Sequence, residues 1–520
     1  MSTSESTVVF HSKPDKSIGY IRLADSDNVV VALRDLASGE SIDGLTLIDD
    51  VPRGHKLAVS AISSGEKAIK YAQVIGYANC DIKAGVHVHT HNIEFRGTDH
   101  QYEYCTDNTE PELLSDSDRA TFMGIKRADG QVGTRNFIAI LSSVNCSATA
   151  VQHIANAFNK ETLLADYPNI DGVVAFSHST GCGLADTGDG FDNLQRVLWG
   201  FAQHANVAGV LMVGLGCEVN QISSLAERYR LERGTLFRTM NIQWVGGHQK
   251  TVAAGIARIK EMLPLANEVQ REPCSASALK LALQCGGSDG WSGITANPAL
   301  GYAADLLVKN GGTAVLAETP EVYGAEHLLT RRAVDRDTGQ KLIDRILWWE
   351  GYVERNGGSM DNNPSPGNKL GGLTTILEKS LGAVAKGGTT RLNGVYRYAE
   401  KIDRNGFVFM DTPGYDPASI TGEVAGGCNL VAFTTGRGST YGCKPSPSIK
   451  IATNTTMYDR LSDDMDVNAG RIVSDGATIA EVGQEIFDLL LDVASGKRSL
   501  SEQHGLGDHE FVPWQIGATM

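Results

Sequence analysis

QCGGSDGWSGITANP, from Gln284 to Pro298, joins a short apolar stretch to a segment with helical spacing. The preceding LALQC (281–285) has the composition of a buried strand, and the helical spacing begins after Asn297. Glycine permits positive φ angles and lets backbone N–H groups approach an anion closely. A strand, a glycine-rich turn and a helix in this order predict a ligand site at the turn. The candidate ligand-binding groups there are Gly286, Gly287, Ser288, Asp289 and Asn297.

Strands and helices alternate on both sides of this turn. Strands separated by helices indicate right-handed crossovers and a parallel sheet, in which ligands bind beyond the carboxyl ends of the strands. The chain is therefore predicted to be an α/β protein with largely parallel sheets. The predicted strands are 136–144, 171–178, 208–216, 241–247, 281–285, 313–319, 407–413, 429–435 and 448–454.

The first part of the chain has a different pattern. Short alternating or β-branched runs are separated by turn signals such as ASGES, VPRGH and SSGEK, which predicts a small β domain. A polar, acidic stretch without periodicity follows and is typical of a linker. The predicted organisation is a β domain at 1–96, a linker at 97–122 and two α/β domains at 123–270 and 271–520.

Composition limits the possible partners. The formal net charge of −15 argues against nucleic acid and anionic membranes, while a small anionic substrate can still bind through local basic groups. The N-terminus has no secretory pattern and no apolar run is long enough to span a bilayer, so a cytoplasmic protein is expected. In the cytosol, nine cysteines are expected to be reduced, metal-binding or reactive. A homo-oligomer, most simply a dimer, is expected from the base rates for cytosolic enzymes.

Two sets of residues are candidate metal ligands. Thiolates suit iron and iron–sulfur clusters, and a group of cysteines follows successive predicted strands: Cys146, Cys182, Cys217 and Cys285. The alternative is an oxygen- and nitrogen-ligated Fe²⁺ or Mn²⁺ that uses His87, His89 and nearby carboxylates. In GVHVHTHN (85–92) the histidines recur at every second position, which places them on one face of a strand.

Further basic and polar groups occur at other predicted strand ends and loops. Arg437 lies between two glycines in TTGRGSTYG (434–442), where it is free to pair with a carboxylate. The loop DNNPSPGNKLGG (361–372) carries Asn368 and Lys369 and precedes a predicted helix. A lysine and backbone amides at a helix N-terminus form a candidate anion site.

With these motifs in hand, the chain resembles the altronate and galactarate dehydratase family. The matching strings are GVHVHTHN, DGQVGTRN, VNCS, HSTGC, GLGCE, QCGGSDGWSGITANP, NPSPGNKLGG and FTTGRGSTYG, which span nearly the whole chain. The resemblance implies an N-terminal SAF-type β-clip domain and two α/β domains. It further implies loss of water from a hexonate or hexarate that depends on iron or a related divalent metal such as Mn²⁺. GVHVHTHN and AGGCNLVAFTTGRG make it more similar to the altronate branch, whose product is 2-dehydro-3-deoxy-D-gluconate.

Dehydration of an aldonate requires removal of the C2 proton, stabilisation of the resulting enediolate and protonation of the departing C3 hydroxyl. His178, Asp289 and Lys369, in that order, are the predicted acid and base residues. Arg437, Asn297, Asn368 and the amides of the 286–293 turn are expected to orient the substrate. The alternatives are galactarate or another hydroxy acid as substrate, including sulfolactate, and a sugar-acid-binding protein without chemistry.

Overall fold

The N-terminal domain contains strands and no helix in its described part. The computed structural model describes residues 19–97, 101–158, 161–230, 234 and 236–520. The first 18 residues, on which the prediction of no secretory signal rests, lie outside the described residues. Two small sheets, ordered β1-β2-β5-β8 and β6-β7-β9, and the hairpin β3-β4 form the predicted β domain. The strands are β1 (Tyr20–Ile21), β2 (Val29–Ala32), β3 (Ser41–Ile42), β4 (Leu45–Thr46), β5 (Lys56–Ala58), β6 (Lys67–Lys70), β7 (Gln73–Ala78), β8 (His87–Val88) and β9 (Ile93–Glu94).

Residues 101–120, in the predicted linker, have no regular secondary structure and lie along the C-terminal domain. Backbone N–H groups of Cys105 and Leu114 donate to the carbonyls of Thr330 (3.1 Å) and Lys309 (2.9 Å). The carbonyls of this domain satisfy linker amides that would otherwise need water.

The second domain is built on a four-stranded parallel sheet of order β13-β12-β14-β15. A separate three-stranded sheet of order β11-β10-β16 joins this domain to the next one. The strands are β10 (Thr121–Lys126), β11 (Val132–Gly133), β12 (Phe137–Ser142), β13 (Gly172–Phe176), β14 (Val207–Gly214), β15 (Phe237–Asn241) and β16 (Glu272–Ser275). The helices are α1 (Ala148–Asn156), α2 (Glu161–Leu164), α3 (Asp189–Ala202), α4 (Ile222–Tyr229), α5 (Ile242–Val245) and α6 (His248–Ala266).

One predicted strand, 241–247, was wrong. The strand ends at Asn241, and the next four residues form the short helix α5. Gly246 and Gly247 follow with φ of 98° and 107°, a conformation that ends a helix. Trp244 is 76% exposed, so the apolar run does not face a core.

The C-terminal domain contains a seven-stranded sheet of order β19-β20-β18-β17-β21-β22-β23, and all of its pairings are parallel. The parallel α/β architecture is therefore confirmed. Its strands are β17 (Lys280–Cys285), β18 (Thr313–Leu316), β19 (Leu392–Tyr396), β20 (Gly406–Met410), β21 (Leu430–Thr435), β22 (Ser448–Ala452) and β23 (Val467–Asn468). Its helices are α7 (Ala296–Lys309), α8 (Glu326–Arg331), α9 (Arg336–Arg355), α10 (Pro366–Leu370), α11 (Ile376–Val384), α12 (Asp416–Ala425), α13 (Thr455–Arg460), α14 (Arg471–Ser474), α15 (Ile479–Ala494) and α16 (Leu500–Gln503).

Strand β17 lies at the centre of this sheet, with β18 on one side and β21 on the other. Its residues from Leu281 to Cys285 are at most 1% exposed, which explains the continuous apolar run in the sequence. The glycine-rich turn begins where β17 ends, so the turn lies at the carboxyl edge of the sheet. No helix in the described part of the chain is both long and apolar enough to cross a membrane.

Candidate active site between the N-terminal and C-terminal domains

The turn after β17 is held by backbone contacts with the loop after β21. Gly287 has a φ of +63°, and its carbonyl accepts hydrogen bonds from the N–H groups of Gly436 (3.1 Å) and Arg437 (2.9 Å). The Gly286 N–H donates to the Thr434 carbonyl at 3.1 Å. The two glycine-rich motifs that the sequence separates by about 150 positions therefore form one surface.

Asp289 is the most heavily hydrogen-bonded side chain of the turn. Its carboxylate accepts from the hydroxyls of Ser292 (3.1 Å) and Thr453 (2.9 Å) and from the Asn454 amide (3.0 Å). The Trp291 N–H donates to it as well, at 3.1 Å. Burial raises the pKa of Asp289, and these donors oppose the shift. Because two of these four donors, Thr453 and Asn454, directly follow β22, Asp289 fixes the turn to the end of that strand.

The loop that carries Asn368 and Lys369 closes over the same turn. The Asn368 side-chain amide donates to the Ser288 carbonyl at 2.8 Å, and Asn368 also caps α10 together with Ser365. The Gly290 N–H donates to the Gly371 carbonyl at 2.8 Å. A Cβ placed on Gly371 would lie 2.9 Å from Asp289 Cβ and 3.2 Å from Arg437 Cδ, so the three residues are adjacent. Arg437 is exposed beside this turn, and Lys369, which follows Asn368, is half-buried.

The structure thus brings the predicted acid–base residue Asp289 together with most of the residues that the sequence proposed for substrate binding: Gly286, Gly287, Ser288, Asn368 and Arg437. Asn297 lies one turn further along, where its amide donates to the Gly382 carbonyl and its oxygen accepts from Thr434. These two contacts join α7 to α11 and to β21.

The N-terminal domain touches this turn through its backbone. A Cβ on Gly290 would overlap the Gly54 carbonyl oxygen, and a Cβ on Gly372 would lie 2.5 Å from the same atom. Glycine is therefore required at both positions for the two domains to approach. The residue after Gly54 is His55, which this contact places at the domain interface.

His55, His87 and His89 form a three-histidine group at the interface. One ring nitrogen of each lies within 4.8 Å of the others. His55 Nδ1 faces His87 Nε2 at 3.0 Å, and His55 Nε2 lies 3.4 Å from the Leu370 carbonyl. His89 Nδ1 is buried without a hydrogen-bond partner, which is the state of a nitrogen available to a metal.

The backbone around the histidines is fixed by Asn92. Its side-chain oxygen accepts from the His89 N–H (2.9 Å), and its amide donates to the His87 carbonyl (2.9 Å). Burial, and then neighbouring cationic groups, lower the pKa of His87 to about 4 and that of His89 to about 3. Both rings are therefore neutral at pH 7, which is the form that ligates a metal.

Next to the histidines, three buried charges join the two domains. Lys56 Nζ lies 2.8 Å from Glu378 Oε2, and Lys70 Nζ lies 2.9 Å from Glu378 Oε1. Thr374 donates to the same carboxylate through its N–H (2.9 Å) and its hydroxyl (2.8 Å). The two ammonium groups hold the pKa of Glu378 well below its usual range, against the effect of burial.

Cys285 is not grouped with the other three candidate thiols. It is 1% exposed, and its sulfur lies 3.4 Å from Glu321, 3.7 Å from Glu318 and 2.9 Å from the Lys386 ammonium. Cys285, Glu318 and Glu321 form the second group with ligand atoms within 4.8 Å; no other such group of three occurs among the described residues. Lys386, which is also 3.3 Å from Glu318, supplies the positive charge that this cluster needs.

Cys146, Cys182 and Cys217 are exposed and lie on loops that follow β12, β13 and β14 of the second domain. These loops are joined by hydrogen bonds from the Asn145 N–H to the Thr180 carbonyl (2.9 Å) and from the Asn220 N–H to the Gly181 carbonyl (3.1 Å). The three thiols are thus carried by one connected surface, separate from Cys285.

His178 also lies in the second domain, away from the glycine-rich turn. Its Nε2 lies 2.9 Å from the Ser142 carbonyl, and its Nδ1 lies 3.3 Å from the Thr180 N–H. Burial lowers its pKa to about 4, so the ring is neutral. Both nitrogens are engaged with the backbone, which makes His178 a residue that joins two loops.

Sequence reasoning missed His55 and the buried lysines. The run of alternating histidines suggested His87, His89 and His91, but β8 ends at Val88 and His91 is exposed. His55 joins the group because β5 pairs with β8, with Leu57 opposite His87. The string PRGHK contained the histidine, but only the strand pairing reveals its partners.

Family models match three consecutive parts of the chain. They are the altronate/galactarate dehydratase SAF domain (residues 18–96), the second domain of D-galactarate dehydratase/altronate hydrolase (124–267) and the C-terminal domain of D-galactarate/altronate dehydratase (276–519).

The matches to individual proteins extend over nearly the full length. An altronate dehydratase of Escherichia coli (strain K12) is 38% identical over 96% of this chain and 100% of the relative. An altronate dehydratase of Bacillus subtilis (strain 168) is 35% identical over 96% of this chain and 99% of its own length. A galactarate dehydratase (L-threo-forming) of Escherichia coli (strain K12) is 38% identical over 94% of this chain and 95% of its own length. The chain therefore belongs to the D-galactarate and altronate dehydratase family.

Proposed function

We propose that the protein is a hydro-lyase that removes water from D-altronate to give 2-dehydro-3-deoxy-D-gluconate. The observation that carries this proposal is the three-histidine group at a domain interface, next to the loop that closes over the glycine-rich turn, in a chain similar over 96% of its length to two altronate dehydratases. Neutral imidazoles beside an anion-binding turn suit a metal-assisted elimination from a hydroxy acid.

Residues of the turn supply substrate binding in this proposal. Arg437 and those amides of the 286–293 turn that do not donate within the protein bind the carboxylate, and Asn368 and Ser288 orient the hydroxyls. Lys369 is the base that removes the C2 proton in this proposal, because it is half-buried and follows Asn368, whose side chain contacts Ser288. Asp289 holds the turn in place through its four hydrogen bonds.

We propose that His55, His87 and His89 hold Fe²⁺ or Mn²⁺. The fit rests on the buried, unpartnered Nδ1 of His89 and on the facing nitrogens of His55 and His87. The Leu370 carbonyl faces the second nitrogen of the His55 ring, and Asn92 fixes the backbone of His87 and His89. In this proposal the three histidines would hold a divalent ion that would supply a Lewis acid for a substrate oxygen and for the enediolate.

The alternative is iron or an iron–sulfur cluster on Cys146, Cys182 and Cys217. These thiols are exposed on connected loops, and soft thiolates favour such a cluster. In this alternative His178, which joins two of these loops, orients the cysteines.

The test is keto-acid formation by anaerobically purified protein supplied with Fe²⁺. Altronate, galactarate, mannonate, gluconate and sulfolactate are compared at equal concentration. Turnover of altronate above the others supports the proposal. Galactarate is the second candidate, because its dehydratase is as similar (38%) as one altronate dehydratase. Binding without turnover of any acid would instead support a sugar-acid-binding protein.

A cytoplasmic homodimer is part of the same proposal, and light scattering tests the dimer.

A further inference from the structure

The hairpin between β6 and β7 has a turn that its sequence does not favour. Tyr71 and Ala72 are the two turn residues, since Lys70 pairs with Gln73. Their φ angles are +62° and +56°. Two-residue turns with both φ angles positive are usually Asn-Gly or similar, and a bulky residue in this region is an outlier.

A buried carboxylate holds this turn in its strained form. Asp27 is 3% exposed, and its two oxygens accept from the N–H groups of Tyr71 (3.2 Å) and Ala72 (2.8 Å). Such strain persists only where the surroundings impose it, and it is concentrated at functional sites. The chain therefore keeps a tyrosine at a position where asparagine or glycine would fold more easily.

Tyr71 reaches from the N-terminal domain into the C-terminal domain. It lines a small cavity between the glycine-rich turn and α11, together with Ser288, Asp289, Asn297 and Lys379. Its hydroxyl is so close to the turn that a Cβ on residue 293 would lie 2.7 Å from it. The cavity has a volume of about 10 Å³, which is room for about one water molecule.

Several other groups lining the cavity are already engaged. Lys379 donates to Glu321 (2.7 Å) and Asn363 (2.7 Å), and Asp289 accepts the four hydrogen bonds described above. The Asn297 amide donates to the Gly382 carbonyl at 2.9 Å. Tyr71 brings to the cavity a hydroxyl that is hydrogen-bonded to the Lys70 ammonium and not to these groups.

The surroundings of Tyr71 suit a proton donor. Burial raises the pKa of its phenol, so Tyr71 carries its proton at neutral pH. The Lys70 ammonium lies 4.7 Å from the centre of the ring, where it stabilises a phenolate once the proton has left. Lys70 is itself fixed by Glu378, whose second oxygen binds the lysine next to His55. Tyr71 and the histidine group are therefore anchored to the same carboxylate.

We propose that Tyr71 is the general acid that protonates the departing C3 hydroxyl, and that the small cavity receives the released water. This inference rests on the proposed function. After the base has removed the C2 proton, an electron pair of the resulting enediolate forms the C2–C3 double bond and the C3–O bond breaks. The oxygen takes the phenol proton and leaves as water. The enol then tautomerises to the 2-keto acid, while the base releases its proton to solvent and the phenolate takes one up.

The test compares two leaving groups in the Tyr71→Phe enzyme. Loss of a general acid is expected to lower kcat for altronate by about 100-fold or more with little change in KM. Fluoride leaves without a proton, so elimination from the 3-deoxy-3-fluoro analogue is expected to stay near the wild-type rate. Tyr77→Phe is the matched control, because Tyr77 lies in the same hairpin and its ring faces Arg96 at 5.3 Å; it is expected to keep full activity on both substrates.

A Tyr71→Asn variant controls for misfolding of the Tyr71→Phe protein. Asparagine tolerates positive φ, so this variant is expected to fold and to show the same selective loss. Full activity of either variant on altronate would overturn the proposal, as would an equal loss with both leaving groups, which indicates a structural role. If the wild-type enzyme eliminates neither water nor fluoride, the proposed function is wrong, and Tyr71 then has no departing hydroxyl to protonate.

Discussion

Lys56 of the N-terminal domain and Glu378 of the C-terminal domain form an ion pair of 2.8 Å in which neither side chain is more than 1% exposed. Lys70 completes the group at 2.9 Å. His55 and Tyr71 are the sequence neighbours of these lysines. A single carboxylate therefore holds the sequence neighbours of two residues, His55 and Tyr71, that the N-terminal domain places at the interface.

Removal of this carboxylate's charge is expected to be costly. Glu378→Gln leaves two buried ammonium groups without a counter-charge, and we expect the free energy of unfolding to fall by about 3–5 kcal/mol. Urea denaturation measures the change. Asp337→Asn, which breaks the exposed pair with Lys341, is the control and is expected to change stability by less than about 0.5 kcal/mol. Equal effects of the two substitutions would show that the buried group does not join the domains.

The contact between Gly54 and Gly290 makes a prediction about activity. Gly290→Ala places a Cβ on the Gly54 carbonyl and forces the domains apart. A displacement of about 1 Å is expected to lower kcat/KM by about 100-fold. Gly97→Ala is the control, because a Cβ there would have no atom within 4 Å. A fully active Gly290→Ala enzyme would contradict the interface site.

The two metal proposals separate by iron content. With metal on the histidines, His89→Ala is expected to lose bound iron, measured by mass spectrometry of the metal, while Cys182→Ser keeps it. The thiolate alternative predicts the reverse, together with an iron–sulfur absorption band in the wild-type protein that Cys182→Ser lacks. Melting temperatures of both variants show whether lost iron reflects lost folding.

Two buried histidines predict a loss of stability in acid. Burial lowers the pKa of His178 and of His204 to about 4, whereas the unfolded value is about 6.5. The unfolded chain therefore binds more protons, so stability falls as pH decreases from 6.5 towards 4. Between pH 7 and pH 5 each is expected to contribute about 2 kcal/mol to this loss. Urea unfolding of His204→Asn at both pH values tests this, and an unchanged pH dependence would contradict it.

Local pattern was enough to predict the turn and its neighbours. Ser288, Asp289 and Arg437 follow parallel strands, and the carboxyl ends of such strands meet at one edge, so their proximity followed from the alternation of strand and helix. The domain interface had no comparable signal. Lys56 and Glu378 are 322 residues apart, and His55 joins His87 only through the pairing of β5 with β8. Cys285 differs from the other thiols because it lies on the sheet of the C-terminal domain, beyond the domain boundary predicted at residue 271.

The backbone nature of the Gly54 contact has a consequence for evolution. The N-terminal domain meets Gly290 and Gly372 through the Gly54 carbonyl oxygen, so this part of its docking does not depend on the side chains of the turn. Residues such as Ser288 or Arg437 can then be exchanged without dismantling the interface. Substrate preference and domain assembly are in this way separable traits, which allows one architecture to diversify among related sugar acids.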